Sequence, residues 1–135
     1  IHADIGYVVL LLMVARLIWR GINPVPAPAS DSPRWERTLA RVNHWALYAT
    51  TIVVALLGWA HSGAHTPDYA DWFGLFRVPQ FTSPEKANAS FFEDWHIYLA
   101  YVLIGLVTLH VLAALYHHFI KRDGVTARMA SGEAG

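Results

Sequence analysis

There is no cysteine in the 135 residues of this chain. That excludes disulfides, thiolate-held iron–sulfur clusters and covalently attached c-type haem. Charge is also scarce: 10 Lys and Arg stand against 10 Asp and Glu, 15% of all residues, for a net charge of zero. A balanced chain lacks the electrostatic footprint that nucleic acid selects, so nucleic acid is not an expected partner. The sequence has neither an initiator methionine nor a signal peptide, and it shows no internal repeat or low-complexity tract. It opens at Ile1-His2-Ala3-Asp4 without an obvious helix cap, close to an apolar run. The expectation is a chain that begins partway through a longer polypeptide.

What is present is mostly apolar. Hydrophobic residues make up 55%, and the charges cluster rather than spread. This points to an integral membrane protein, which meets lipid as its first partner. Six tryptophans and six tyrosines suit interfacial belts. Three apolar runs cover about residues 2–20, 39–60 and 95–120 of a single domain, 1–135. The expected fold is an all-α membrane helix bundle, with an outer loop over 61–94 and a tail over 121–135. Between the first two runs lies Asn23-Pro24-Val25-Pro26-Ala27-Pro28, then Asp31-Ser32-Pro33. Alternating prolines exclude helix and predict a short, stiff extended linker. Ser32 or Thr38 is the expected start of the next helix.

Charge asymmetry orients the bundle. Arg16, Arg20, Arg34, Arg37 and Arg41 lie in or beside the first linker, and Lys121, Arg122 and Arg128 follow the third run. The 61–94 loop has only Arg77 and Lys86 against Asp68, Asp71, Glu85, Glu93 and Asp94. The positive-inside bias therefore puts the linker and C-terminus in the cytoplasm and the long loop outside. The first residue then falls on the outer side. A preceding fourth span would bring it there.

The histidines carry the chemistry. His96 and His110 are fourteen residues apart in the third run. That separation is roughly 21 Å along a helix, with the rings within roughly 40° of one another. One helix thus presents an imidazole in each leaflet. Intramembrane ionisable groups usually mark function, and paired imidazoles hold haem iron without an open position. His2 and His96 match in depth and could clamp one haem in the outer leaflet. For His110 the only partner of suitable depth in this chain is His44.

A porphyrin against a helix needs small neighbours one turn from its ligand. His2 is followed four residues later by Gly6, His96 by Ala100 and His110 by Ala114. His44 is followed by Tyr48, which would crowd the ring, so a ligand from an additional helix is favoured for His110. The bland alternative for His44 is a polar residue at the cytoplasmic interface, near a quinone or a propionate. His117 and His118 read either as headgroup-level polar residues or as a quinone site. Arg16, fourteen residues after His2, reads either as a propionate partner or as a snorkelling end-of-helix arginine. His61 and His65 have the i, i+4 spacing of metal ligands, but Gly63 between them and the lack of a third ligand argue against a metal.

Several segments resemble the bacterial cytochrome b561 family. The third run reads Trp95-His96, Gly105-Leu106-Val107-Thr108-Leu109-His110-Val111-Leu112-Ala113-Ala114-Leu115-Tyr116-His117-His118-Phe119 and Lys121-Arg122-Asp123-Gly124, similar to that family's last helix. Ala15-Arg16-Leu17-Ile18-Trp19-Arg20 before the prolines resembles the end of its second helix. Asn43-His44-Trp45-Ala46-Leu47-Tyr48 with Gly58-Trp59 resembles its third, and Phe73-Gly74-Leu75-Phe76 its outer loop. The resemblance implies a four-helix bundle in the bacterial inner membrane holding two b haems. It implies ligands at His2, His96 and His110, with a first-helix ligand that has no counterpart here.

Transmembrane electron transfer between the quinone pool, ubiquinone for example, and an outer-face donor or acceptor is the expected function. The resemblance offers two versions: a superoxide oxidase reducing ubiquinone, or a cytochrome b serving a periplasmic redox protein or larger membrane complex. The acidic outer loop disfavours superoxide modestly. The competing reading is a non-catalytic membrane anchor subunit, in which the histidines and the small residues Gly6, Ala100 and Ala114 serve only helix packing.

Overall fold

The computed structural model describes residues 1–23, 32–65 and 68–122. The proline linker over 24–31 and the tail over 123–135, with Arg128, lie outside the described residues. Three helices dominate: α1 (His2–Ile22), α2 (Arg34–His65) and α3 (Lys86–Tyr116). All three are long and apolar enough to cross a membrane. A two-stranded antiparallel hairpin, β1 (Tyr69–Trp72) and β2 (Phe76–Pro79), stands between α2 and α3. A π-helical turn over His117–Lys121 follows α3.

The ends of each helix follow from local chemistry. α1 stops where Asn23 turns extended (φ −105°, ψ 122°), as the residue before a proline must. Both the Asn23 backbone N–H and its side-chain amide then donate to the Trp19 carbonyl, at 3.0 and 2.9 Å. α2 starts directly after Pro33, whose carbonyl accepts from the Arg37 N–H at 3.3 Å, so neither Ser32 nor Thr38 is its first residue. Glu36 in the first turn complements the positive end of the helix dipole. At the far end α2 runs through His65, five residues into the expected outer loop. α3 likewise starts nine residues before the apolar run, at Lys86. Hydropathy marks the lipid-crossing core of a helix, whereas backbone hydrogen bonding carries the helix on into the polar interface.

α2 is the central helix. It packs along both α1 and α3, which make little contact with each other. On α3 the half-buried residues include Phe92, His96, Leu99, Ala100, Leu103, Leu106, His110 and Ala114. That three-and-four spacing is a single stripe laid on α2. His96 and His110 lie on it together, and most of the remaining surface of α3 is exposed apolar side chains. In lipid that exposure is solvation rather than cost.

The hairpin is tied to the helices at both sides. Trp72 donates its indole N–H to the Asp4 carbonyl at 3.1 Å, and the Phe73 N–H donates to Asp4 Oδ1 at 3.0 Å. Trp59 on α2 donates to the Pro79 carbonyl at 3.0 Å. Thr82 donates to the Ala60 carbonyl at 2.7 Å. Gly63 makes this docking possible: a Cβ there would strike Thr82 Oγ1 and come within 2.9 Å of Gln80 Oε1.

Candidate functional site

His2 opens α1 and His96 sits on the buried stripe of α3. Their ring centres are 5.9 Å apart with planes perpendicular. Two imidazoles each bound at about 2 Å to opposite sides of one metal ion would have centres roughly 6 Å apart. Both rings line a cavity of about 460 Å³ between the three helices at their hairpin end. Gly6 also lines it, and a Cβ at that position would meet nothing within 4 Å. The space one turn below His2 is therefore open.

α2 supplies the orientation of His96. Its Nδ1–H donates to the Val54 carbonyl at 2.9 Å. A carbonyl only accepts, so the proton is on Nδ1 and Nε2 keeps its lone pair for a metal. Gly58, one turn further along α2, lies against the same ring: a Cβ there would be 3.1 Å from Cε1 and 3.3 Å from Nδ1. The Val54 carbonyl has no signature in the sequence. Gly58 stands out there only beside Trp59, in the segment that resembles the third helix of the cytochrome b561 family.

The second pair lies toward the other membrane face. His110 on α3 and His44 on α2 have ring centres 5.4 Å apart, inclined at 63°. The Asn43 amide lies 3.4 Å from His110 Nδ1. If its carbonyl end accepts from Nδ1–H, Nε2 of His110 is left for a metal as in His96. Tyr48, one turn from His44, is 8% exposed and accepts a hydrogen bond from Arg16 Nε at 2.8 Å. Arg16 thus uses part of its guanidinium on a tyrosine of the neighbouring helix. Arg20 lies over the Trp45 and Tyr48 rings, at 5.1 and 5.6 Å from their centres.

His117 and His118 begin the π-helical turn and differ in setting: His117 is half-buried and His118 is exposed against Phe119, ring centres 4.7 Å apart. The turn is anchored by Lys121, which reaches Glu36 Oε1 and Oε2 on α2 at 2.6 and 2.5 Å. π turns concentrate at functional sites in proteins.

His61 and His65 fall on the last turns of α2, ring centres 4.5 Å apart, and both line the His2–His96 cavity. Among the described residues no group of three or more His, Cys, Asp or Glu could hold a metal ion.

Residues 1–132 match the sequence profile of the prokaryotic cytochrome b561 family. The chain is 33% identical over 129 residues to cytochrome b561 homolog 2 of Escherichia coli K12, covering 96% of this chain and 68% of that protein. It is 31% identical over 132 residues to cytochrome b561 homolog 1 of the same organism, covering 95% and 72%. A Yersinia pestis protein named "Probable superoxide oxidase CybB" is 30% identical over 138 residues, covering 100% and 76%.

Proposed function

The chain belongs to the prokaryotic cytochrome b561 family, a membrane electron-transfer family that binds haem b, and on that premise we propose that His2 and His96 are the axial ligands of one b haem near the outer face. The observation that carries this reading is the His2–His96 pair facing one cavity at 5.9 Å, with Nδ1 of His96 committed to Val54. Bound haem would supply one-electron redox chemistry, and two imidazole ligands leave its iron no open position for oxygen. His2 and His96 set the position along the membrane normal. Val54 and Gly58 fix the plane of the His96 ring. Gly6 leaves room for a flat macrocycle.

His110 is the proposed ligand of a second haem, with the opposite ligand coming from a further helix of the bundle, as the family pattern implies. His117 and His118 are the proposed contacts for a ubiquinone-type acceptor, and Arg16 is the proposed contact for a haem carboxylate. Arginines on the linker side support a cytoplasmic C-terminus in the bacterial inner membrane. A periplasmic redox protein or larger membrane complex would then meet the hairpin side.

A second reading, oxidation of superoxide with ubiquinone as acceptor, takes its support from the name of the Yersinia pestis relative. The outer loop opposes it, because Asp68, Asp71, Glu85, Glu93 and Asp94 outnumber Arg77 and Lys86 and repel an anion. Reduced-minus-oxidised spectra test the main reading. Purified protein should give a b-type band that His96→Ala diminishes; a variant that kept all of its haem would sink the assignment. His117→Ala with His118→Ala should slow quinone reduction while leaving the spectrum intact, and an unchanged rate would remove the quinone site from this turn.

A further inference from the structure

Tyr7 is 8% exposed, and its hydroxyl is buried with no hydrogen-bond partner among the described residues. A buried hydroxyl left unsatisfied is costly and calls for an acceptor. Its ring lies edge-on to Trp59, centres 5.8 Å apart, and it lines the His2–His96 cavity. Helix side chains lean toward the N-terminus, which on α1 is the outer end.

Three further polar side chains line the same cavity from the last turns of α2: His61, Ser62 and His65. His61 donates Nδ1–H to the Ala89 carbonyl at 3.2 Å, and His65 donates Nδ1–H to the His61 carbonyl at 3.1 Å. With Nδ1 used in both, Nε2 is the atom each histidine has left to offer. The two histidines sit about one and two turns outward of Gly58, the residue against His96. Inward, the lining includes Ala55 and Gly6. The cavity is thus apolar around and below the histidine pair and polar at its outer end. Glu93 lines it as well but is exposed, so an acidic ligand edge is directed to the side formed by Tyr7, His61, Ser62 and His65.

A b-type haem has the same division: an apolar macrocycle and one edge carrying two propionates, the only strong acceptors it offers once its iron is ligated. We propose that the outer end of the cavity is a carboxylate subsite. Tyr7 donates its hydroxyl proton to a propionate, and His61 and His65 in their protonated form donate Nε2–H to the same edge. This rests on the reading that His2 and His96 hold haem.

Two measurements on the full chain test it. In redox titrations of the holoprotein, Tyr7→Phe lowers the midpoint potential of the His2–His96 haem while haem content stays unchanged, because a carboxylate stripped of its donor stabilises ferric iron. In haem-depleted protein, titration with haem b and with its dimethyl ester gives tighter binding of the free acid, by about tenfold. His110→Leu silences the second site in this titration, and circular dichroism verifies the helices. The preference shrinks in Tyr7→Phe and in the His61→Leu, His65→Leu double variant. An unchanged midpoint potential in Tyr7→Phe, or the same preference for free acid over diester in parent and variants, overturns the subsite and leaves the haem reading standing. Failure of the parent to bind either form overturns both.

Discussion

His96 donates its Nδ1 proton to the carbonyl of Val54, 2.9 Å away on the neighbouring helix. One hydrogen bond thus fixes which ring nitrogen faces the cavity and the plane in which it does so. The contact depends on Gly58, since a Cβ at that position would stand 3.1 Å from Cε1 of the same ring.

Gly58→Ala should therefore push the ring off the Val54 carbonyl. Overpacking of this kind costs about 1–3 kcal/mol. The expected outcome is a lower thermal midpoint together with an altered low-spin ferric EPR signal from the haem proposed at His2 and His96, a signal sensitive to ring orientation. An unchanged EPR signal would mean that the ring plane is set elsewhere. Gly6→Ala is the control for stability, because a Cβ there meets no protein atom. It should leave the haem-free protein as stable as the parent while weakening haem retention.

The two imidazoles of α3 were legible in the sequence because a fourteen-residue interval is close to four whole helical turns, and the structure lays both on one stripe. The pairing of His2 with His96 followed from depth alone. Val54 was not legible, since a carbonyl acceptor has no residue-type signature. The hairpin was hidden for a related reason. Phe73 takes a left-handed backbone (φ 50°) beside Gly74 (φ 69°), and only the Gly is a residue that advertises this conformation. His61 and His65 read as loop in the sequence because glycine and polar residues end the apolar pattern before the helix itself ends. Tyr7 was unremarkable in sequence, one apolar-faced residue in an apolar helix.

Asp4 holds the hairpin to α1. Its carboxylate accepts from Phe73 N–H at 3.0 Å. Phe73 pays for a disfavoured backbone with this bond. Asp4→Ala removes it but spares the bond from Trp72 to the Asp4 carbonyl. Local opening of residues 69–79 should become easier by about 1–2 kcal/mol, read as faster amide exchange confined to that segment. Uniform exchange across the hairpin and the parent would show that Trp72 and Trp59 suffice to hold it.

Lys121 and Glu36 join the π-helical turn to the start of α2 with both carboxylate oxygens engaged. The side chains are 26% and 14% exposed, so the pair is screened less than a surface one. A double-mutant cycle with Lys121→Met and Glu36→Gln should give a coupling of about 1 kcal/mol in thermal stability. If His117 and His118 contact quinone, Lys121→Met should also raise the quinone KM by loosening the turn that carries them, with haem absorbance unchanged. Zero coupling would assign the π turn to backbone bonding alone, chiefly the Arg122 N–H to the His117 carbonyl at 2.8 Å.

His44 stands 5.4 Å from His110 between ring centres, close enough to suggest that these two alone clamp the second haem. The residues around them argue otherwise. His2 has Gly6 one turn along its helix and His110 has Ala114, but His44 has Tyr48. Tyr48 is 8% exposed and locked by the Arg16 hydrogen bond at 2.8 Å, so it does not swing aside cheaply. A macrocycle ligated by His44 would have to displace it and break that bond. His110→Ala should therefore remove about one haem's worth of b-type absorbance from the complete bundle, whereas His44→Ala should keep both haems and change at most the potential of the nearer one. Tyr48→Phe, which deletes the Arg16 acceptor but keeps the ring, should lower stability by about 1 kcal/mol with no loss of haem. Equal haem loss in His44→Ala and His110→Ala would make His44 the sixth ligand and remove the need for one from any other helix.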